Sequence, residues 1–337
     1  MSIQFFFLLV TLAWGLTWVL RAYALSRNII DIPNQRSSHT VPTPRGGGVA
    51  IVVTFLLAVF WLYGSRGVDA SLFSAVVSAG CSIAVLGFLD DHGHIHAKWR
   101  LLCHFLIASL VVALLGGFPP IVVLGHEYDF GWIGCIVAVL YLAWLTNLYN
   151  FMDGIDGIAS IEAITCCVSA VVIYYFASLP DLTVLPLALA AAVAGFLIWN
   201  FPPARIFMGD AGSGFLGVII GTLSIHAAFS SFALFYSWLI LLGVFIVDAT
   251  VTLVRRLIRG EKVYEAHRSH AYQFAARGFG RHAPVTFGVL VINVVWLMPL
   301  AYMAAVSALD GLIALLIAYG PLVWLALRYR AGEAEAC

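Results

Sequence analysis

Apolar stretches close to twenty residues long follow one another along this chain with almost no polar insert between them, and that recurrence leaves few folds open. A membrane's hydrocarbon core, about 30 Å thick, takes roughly 20 residues of α-helix to cross, and lipid offers no partner to an unpaired backbone N–H or C=O. About eleven such spans can be drawn, at 3–24, 48–64, 72–89, 99–117, 131–149, 158–178, 183–199, 215–233, 235–257, 285–305 and 310–328. With 62% hydrophobic residues, 10% charged residues and a mean hydropathy of +1.00, the chain excludes a soluble globule. The sequence predicts an all-α, polytopic helical membrane bundle forming a single domain over residues 1–337.

Short loops that stay in the cytoplasm keep Lys and Arg, so the charges also predict a direction. Threading the spans with the N-terminus periplasmic leaves only Arg66 of the 17 cationic residues on the outer side, and it places the C-terminus in the cytoplasm. The same threading sends Asp90, Asp91, Asp153, Asp156 and Asp210 to the cytoplasmic face and Asp69, Glu127, Asp129, Asp181 and Asp310 to outer loops. The first apolar run has no basic segment before it, so no cleavable signal peptide is expected. The cysteines lack metal-ligand spacing and are expected to pack as small hydrophobes.

Four clusters carry chemistry. Asp90-Asp91 closes a helix and is followed by His92, His94, His96 and Lys98, putting two acids and a cation in one short loop. In Asn147-x-x-Asn150-x-x-Asp153-Gly154-x-Asp156-Gly157 the i, i+3, i+6 spacing keeps three oxygen-bearing side chains on one helix face, and the glycines permit tight turns. Hard cations such as Mg²⁺ take oxygen ligands and share them with substrate phosphates. The stretch from Asn200 through Arg205, Phe207 and Asp210 to Ser213 and Gly214 offers an acid, a cation and small residues just before a helix, where backbone N–H groups bind phosphate. His267-Arg268-Ser269-His270 sits in the largest basic loop, within reach of an anionic pyrophosphate; a zinc site is the weaker reading of its histidines, since no Cys joins them. Asp248 lies inside a span, where an unpartnered ionisable group is expensive, and is expected either to line the cavity or to pair with Arg205 or Arg255.

Together these clusters, with Arg36-Ser-Ser-His39 and Pro42-Thr-Pro-Arg45-Gly-Gly upstream, resemble the polyprenyl-phosphate N-acetylhexosamine-1-phosphate transferases from about residue 30 to 275, in chain order. The resemblance implies a Mg²⁺-dependent enzyme, with Mn²⁺ as an alternative cation. It would move a sugar 1-phosphate from a UDP-N-acetylhexosamine donor to undecaprenyl phosphate, releasing UMP. It also implies a multi-pass protein of the bacterial inner membrane whose site faces the cytoplasm; a homodimer is compatible with it and no nucleic-acid partner is implied. By this likeness Asp210 and Asn150 hold the metal, Asp90 and Asp91 serve the lipid phosphate, and Asp156 works beside them near the uridine with Asn200 and Phe207. Arg45, Asn147, Asp153 and Ser213 join the substrate-binding set, and His267, Arg268 and His270 lie near the pyrophosphate or sugar. Peptidoglycan-precursor members carry consecutive histidines where this chain reads His267-Arg-Ser-His270, so the likeness points to the O-antigen-initiating subgroup and to UDP-N-acetyl 6-deoxyhexosamines or UDP-GlcNAc. His92 and His94 stand where some members place Asn or Lys, which leaves the role of Lys98 open. The rival is an ion-coupled secondary transporter, but transporters place their sites near the midplane, whereas these acids gather at one face.

Overall fold

Every predicted span falls on helix, one of them on two separate helices, in the computed structural model, which describes residues 1–33, 39–65, 67–93, 95–261 and 268–334, with the backbone alone at His92. In chain order the helices are α1 (Ile3–Ser26), α2 (Val49–Gly64), α3 (Ala70–Gly93), α4 (Ala97–Leu114), α5 (Trp132–Met152), α6 (Ile158–Phe176) and α7 (Val184–Asn200). They continue with α8 (Asp210–Ser230), α9 (Phe232–Leu241), α10 (Gly243–Ile258), α11 (Ala271–Phe279), α12 (Ala283–Val291), α13 (Met298–Ala305) and α14 (Gly311–Arg328). A π-helical stretch, Ile292–Leu297, joins α12 to α13 into one long span. Two small antiparallel pairs, β1 (Ile30–Asp31) with β2 (Thr43–Pro44) and β3 (Ile121–Val123) with β4 (His126–Tyr128), brace the longer loops.

The predicted count changes in two places. Among the described residues nine helices are long and apolar enough to cross a membrane, or ten if a bent pair counts as one span. The bent pair is α9 with α10, which meet at 70° where a single straight span was expected over 235–257. The bend falls beside Gly243, where a Cβ would come within 2.9 Å of Leu322 and 3.2 Å of Tyr319, so close packing of α14 occupies that space. Helix α2 has 16 residues, about 24 Å at 1.5 Å per residue, and is shorter than a full crossing.

Helix α8 is the axis of the bundle: every residue from Ala211 to Ile225 is buried. Between helices in lipid the hydrophobic effect gives no net drive, so close approach of small residues supplies the packing. A Cβ on Gly217 would lie 2.5 Å from the Leu145 carbonyl oxygen of α5, one on Gly48 would lie 2.5 Å from the Gly212 Cα, and one on Gly87 would lie 2.5 Å from the Ala211 nitrogen. Helices α2, α3 and α5 therefore meet α8 backbone to backbone, which brings the C-terminal ends of α3 and α5 to the α8 N-terminus.

Candidate active site

The start of α8 has no side-chain cap of its own, because the residue before it is Gly209, in the left-handed region at φ 78°. Asp91, from the end of α3, supplies the acceptor: its carboxylate faces the Asp210 and Ala211 N–H groups at 3.4 and 3.5 Å. Arg45, on the loop before α2, holds Asp91 from the other side, with one guanidinium nitrogen 3.8 Å from its carboxylate and another bonded to its carbonyl oxygen. The neighbouring Asp90 accepts from the Ile95 N–H at 2.6 Å and from Arg100 at 2.5 Å, and the same Arg100 nitrogen reaches Asp210 at 3.4 Å. The cation that serves Asp90 is thus Arg100, in the first turn of α4, while Lys98 lies over the Trp99 ring.

The 147–157 stretch divides by function. Asn150 and Asp153, at the end of α5, line a cavity of about 270 Å³ together with Arg45, Asp91, Asp210, Phe207 and Ser213, and among the described residues neither has a side-chain hydrogen-bond or ion-pair partner. Asn147 is not on that wall; its amide donates back to the Ala143 carbonyl at 2.7 Å. Asp156 lines the cavity but is tied down, with one oxygen 3.0 Å from His282 Nδ1, the other accepting from the Ala204 N–H at 3.0 Å, and its carbonyl accepting from Thr286. Asn200 also borders the cavity with both ends of its amide engaged: it accepts from Gly157 N–H and donates to the Ile206 carbonyl, each at 3.0 Å. Of the two glycines only Gly157 needs a left-handed backbone, at φ 74°. Gly154 instead leaves the space that the Tyr272 hydroxyl and the Gln273 amide fill.

Asp248 does neither of the things expected of it from sequence. Its carboxylate accepts the Ala271 and Tyr272 N–H groups at 2.9 and 3.0 Å, so a buried acid of α10 caps α11, and His270 lies beside it at 3.4 Å. Arg255 goes to Glu333 and the Ala331 carbonyl instead, and Arg21 to the Arg205 carbonyl. His270 is buried against Asp248 and away from the cavity wall, and Arg268, whose carbonyl accepts from Arg277, does not line it either. From this region it is Gln273 and His282 that face the cavity. His267, Lys262, Tyr264, His94, Arg66 and the Arg36–Ser38 segment lie outside the described residues.

His39 and Phe207, ring centroids 4.8 Å apart, stand at the junction between this cavity and a groove of about 520 Å³ that runs past Pro202, Pro203 and Ala204 to Arg277 and Arg281. The strand Thr43–Pro44 and the glycines after it run alongside Phe207 and Met208 through backbone bonds of 2.8–2.9 Å, which fixes the two loops as one wall. Sequence reasoning missed Arg100, His282 and Asp31. The first of these had a signal, since a cation in the first turn of the helix after two acids can turn back onto them.

Among the described residues no three His, Cys, Asp or Glu side chains converge as a ready-made metal set. A hard cation that keeps waters and substrate phosphates needs only one or two carboxylates. Asp210, Asp153 and the Asn150 amide provide oxygen donors of that kind, two of them without protein partners. Burial, and then the carboxylates of Asp210, Asp156 and Asp91, push the Asp153 carboxyl well above the usual carboxylate range. The residues therefore fit a divalent cation, which would relieve that crowding of negative charge.

Residues 72–228 match the model of glycosyl transferase family 4. The chain is 28% identical over 262 residues to a probable undecaprenyl-phosphate N-acetylglucosaminyl 1-phosphate transferase of Bacillus subtilis, covering 76% of this chain and 72% of that one. It is 30% identical over 292 residues to a decaprenyl-phosphate N-acetylglucosaminephosphotransferase of Mycolicibacterium smegmatis, covering 76% and 70%. A phospho-N-acetylmuramoyl-pentapeptide-transferase of Bacillus licheniformis is 28% identical over 245 residues, covering 68% and 74%. On the matched core, the length of chain shared with these relatives and the helical bundle that presents the acids, the chain belongs to glycosyl transferase family 4.

Proposed function

We propose that the protein transfers an N-acetylhexosamine 1-phosphate from a UDP-sugar to undecaprenyl phosphate, leaving a lipid-linked pyrophosphoryl sugar and UMP. The observation that carries this reading is the convergence of Asn150, Asp153 and Asp210 on one cavity, at helix ends where a lipid phosphate and a soluble nucleotide can meet. Phosphoryl transfer depends mainly on positioning and charge neutralisation. Asp210, Asn150 and Asp153 would hold Mg²⁺, which when bound would neutralise phosphate charge and orient the donor. Arg100, fixed by Asp90, and Arg45, fixed by Asp91, place two guanidinium groups beside that cation site. Phe207 and His39 offer ring faces to the nucleoside, and the groove beyond them, bordered by Arg277 and Arg281, has room for the rest of the donor.

The charge bias of the loops supports a site facing the cytoplasm of a bacterial inner membrane. Relatives named for N-acetylglucosamine favour that sugar, whereas the His267-to-His270 form favours a 6-deoxy N-acetylhexosamine and O-antigen initiation. Purified protein given undecaprenyl phosphate, Mg²⁺ and a panel of UDP-N-acetylhexosamines should release UMP with one or more of them and not in EDTA. Silence across the panel from protein that still melts cooperatively would reject the reading, and uptake of an unmodified solute into proteoliposomes would replace it with the transporter.

A further inference from the structure

Glu162 is a carboxyl group buried in the described bundle with no cation beside it and no place on the cavity wall. Glu162, on the second turn of α6, is completely buried; its Oε2 accepts from the Asn293 amide at 2.6 Å, and the same amide reaches the Thr165 hydroxyl at 2.7 Å. Asn293 is itself 1% exposed and lies in the π-helical stretch that follows α12, the kind of local widening that redirects a side chain. The Phe245 backbone approaches the carboxyl, yet Glu162 Oε1 and Asn293 Oδ1 have no donor within hydrogen-bond geometry. A carboxyl with one oxygen undonated and no counter-charge beside it in a dry interior is costly if ionised, and much less so if that oxygen carries a proton.

The placement of this cluster gives it a use. Thr286, Val289 and Asn293 follow one another along one buried face of the α12 span, at intervals that stack on a helix. At the site end Thr286 donates to the Asp156 carbonyl and His282 lies 3.0 Å from the Asp156 carboxylate. Two turns deeper, Asn293 meets Glu162, six residues on from Asp156 in the same α6 segment. Helices α6 and α12 are therefore pinned at two levels, and the upper pins are the walls of the donor groove.

We propose that Glu162 and Asn293 form a membrane-buried clamp that seats the site end of α12, so that Glu162, acting as an uncharged hydrogen-bonding group, is a positioning residue for Asp156 and His282. This rests on the donor reading of the groove given above. An apolar residue at Glu162 removes the clamp, frees α12 to shift along α6, and disturbs the groove wall without touching any group that meets substrate. A glutamine keeps the shape, the acceptor and a donor of the uncharged acid, so it preserves the clamp.

The test compares UMP release by wild type, Glu162→Gln, Glu162→Leu and Glu162→Leu/Asn293→Leu, with KM for the UDP-sugar and kcat read separately and melting followed for each. The expected result is a Glu162→Gln enzyme within about twofold of wild type and a Glu162→Leu enzyme whose KM rises about tenfold with kcat little changed. The double variant fills both halves with apolar side chains, so it reports KM even if the single leucine fails to fold. Thr286→Val should add little to the loss in Glu162→Leu, because both act through the seat of α12. Equal damage in Glu162→Gln and Glu162→Leu, an unchanged KM in the folded leucine variants, or full additivity with Thr286→Val would each overturn the clamp. Failure of the wild type to release UMP would instead overturn the donor reading, and that outcome is seen before any variant is compared.

Discussion

Arg100 is the cation that links Asp90 to Asp210, and its removal has a calculable consequence. Its guanidinium lies 2.5 Å from Asp90 and 3.4 Å from Asp210. At an effective dielectric of about 20 the second contact alone is worth a gross ~5 kcal/mol of Coulomb energy. The Arg100 side chain is 26% exposed, so water screens part of this, and the net cost of deleting the cation falls to about 2–3 kcal/mol. Arg100→Met keeps most of the packing and leaves both carboxylates uncompensated. Its unfolding free energy in mixed micelles should drop by that amount, and loss of about 2 kcal/mol of phosphate stabilisation should lower kcat/KM about thirtyfold. Arg100→Lys, a single point charge without the planar fork, cannot bridge both acids and should fall between. In a double-mutant cycle Arg100→Met and Asp90→Asn should couple by more than about 1 kcal/mol. A methionine variant that melts and turns over like the wild type would refute the assignment.

Other perturbations test other joints. Asp248→Ala strips the acceptor from two N–H groups at the start of α11 and should destabilise by about 1–2 kcal/mol; because Gln273 rides on that helix, KM for the donor should rise with it, and an unchanged KM would show that α11 does not form the donor wall. Gly217→Ala drives a Cβ into the α5 backbone and should cost about 1–3 kcal/mol, whereas Gly15→Ala, with open space around it, should stabilise by up to about 1 kcal/mol in the same unfolding assay. The reverse order would disprove the backbone-to-backbone packing of α8. Mg²⁺ should raise the melting temperature of the wild type, and Asp210→Ala and Asp153→Ala should each abolish both that rise and turnover. Retention of both effects in either variant would remove that residue from the cation site.

The helices were legible in the sequence because a bilayer imposes a length and an all-apolar surface on each one. The 70° bend between α9 and α10 was not, since it falls beside Gly243, where the packing of Leu322 and Tyr319 from some eighty residues on is invisible in the local apolar run. Among the site residues, Asp153, Asn150 and Asp210 could be gathered from their spacing at helix ends, and Phe207, Ser213 and Arg45 only from the family resemblance; the cavity contains all of them. Asp91, Asp156, Asn200 and Asp248 illustrate the limit. Each satisfies backbone groups of an element far away in sequence, and a buried acceptor that caps another helix has the same local appearance as one that meets a substrate. His270 was drawn toward the site by its motif, yet its neighbours Asp248 and Phe151 are supplied by other helices.

On the proposed reading, the charge arrangement in the cavity also predicts that cation and donor bind together. Five aspartates line it, Asp31 from β1 among them: Asp91 is satisfied by Arg45 and the α8 N–H groups, Asp156 by His282 and Ala204, and Asp210 partly by Arg100. Asp153 has no partner among the described residues, and its carboxyl is held well above the usual range by burial and by the other acids. A pyrophosphate entering alone meets this negative wall, and a divalent cation entering alone finds only two carboxylates and an amide. Each supplies what the other lacks, so their binding should be coupled by about 1–3 kcal/mol. Calorimetric titration of the UDP-sugar should give a dissociation constant about 5- to 150-fold lower with Mg²⁺ than with EDTA, and by linkage the donor should tighten Mg²⁺ by the same factor. In Asp153→Asn the unpartnered charge is gone, so the donor alone should bind more tightly than it does to the cation-free wild type, while the gain from Mg²⁺ shrinks. Equal donor affinity with and without Mg²⁺ in the wild type would mean that the arginines alone neutralise the pyrophosphate, and the cation site built from Asn150, Asp153 and Asp210 would have to be abandoned.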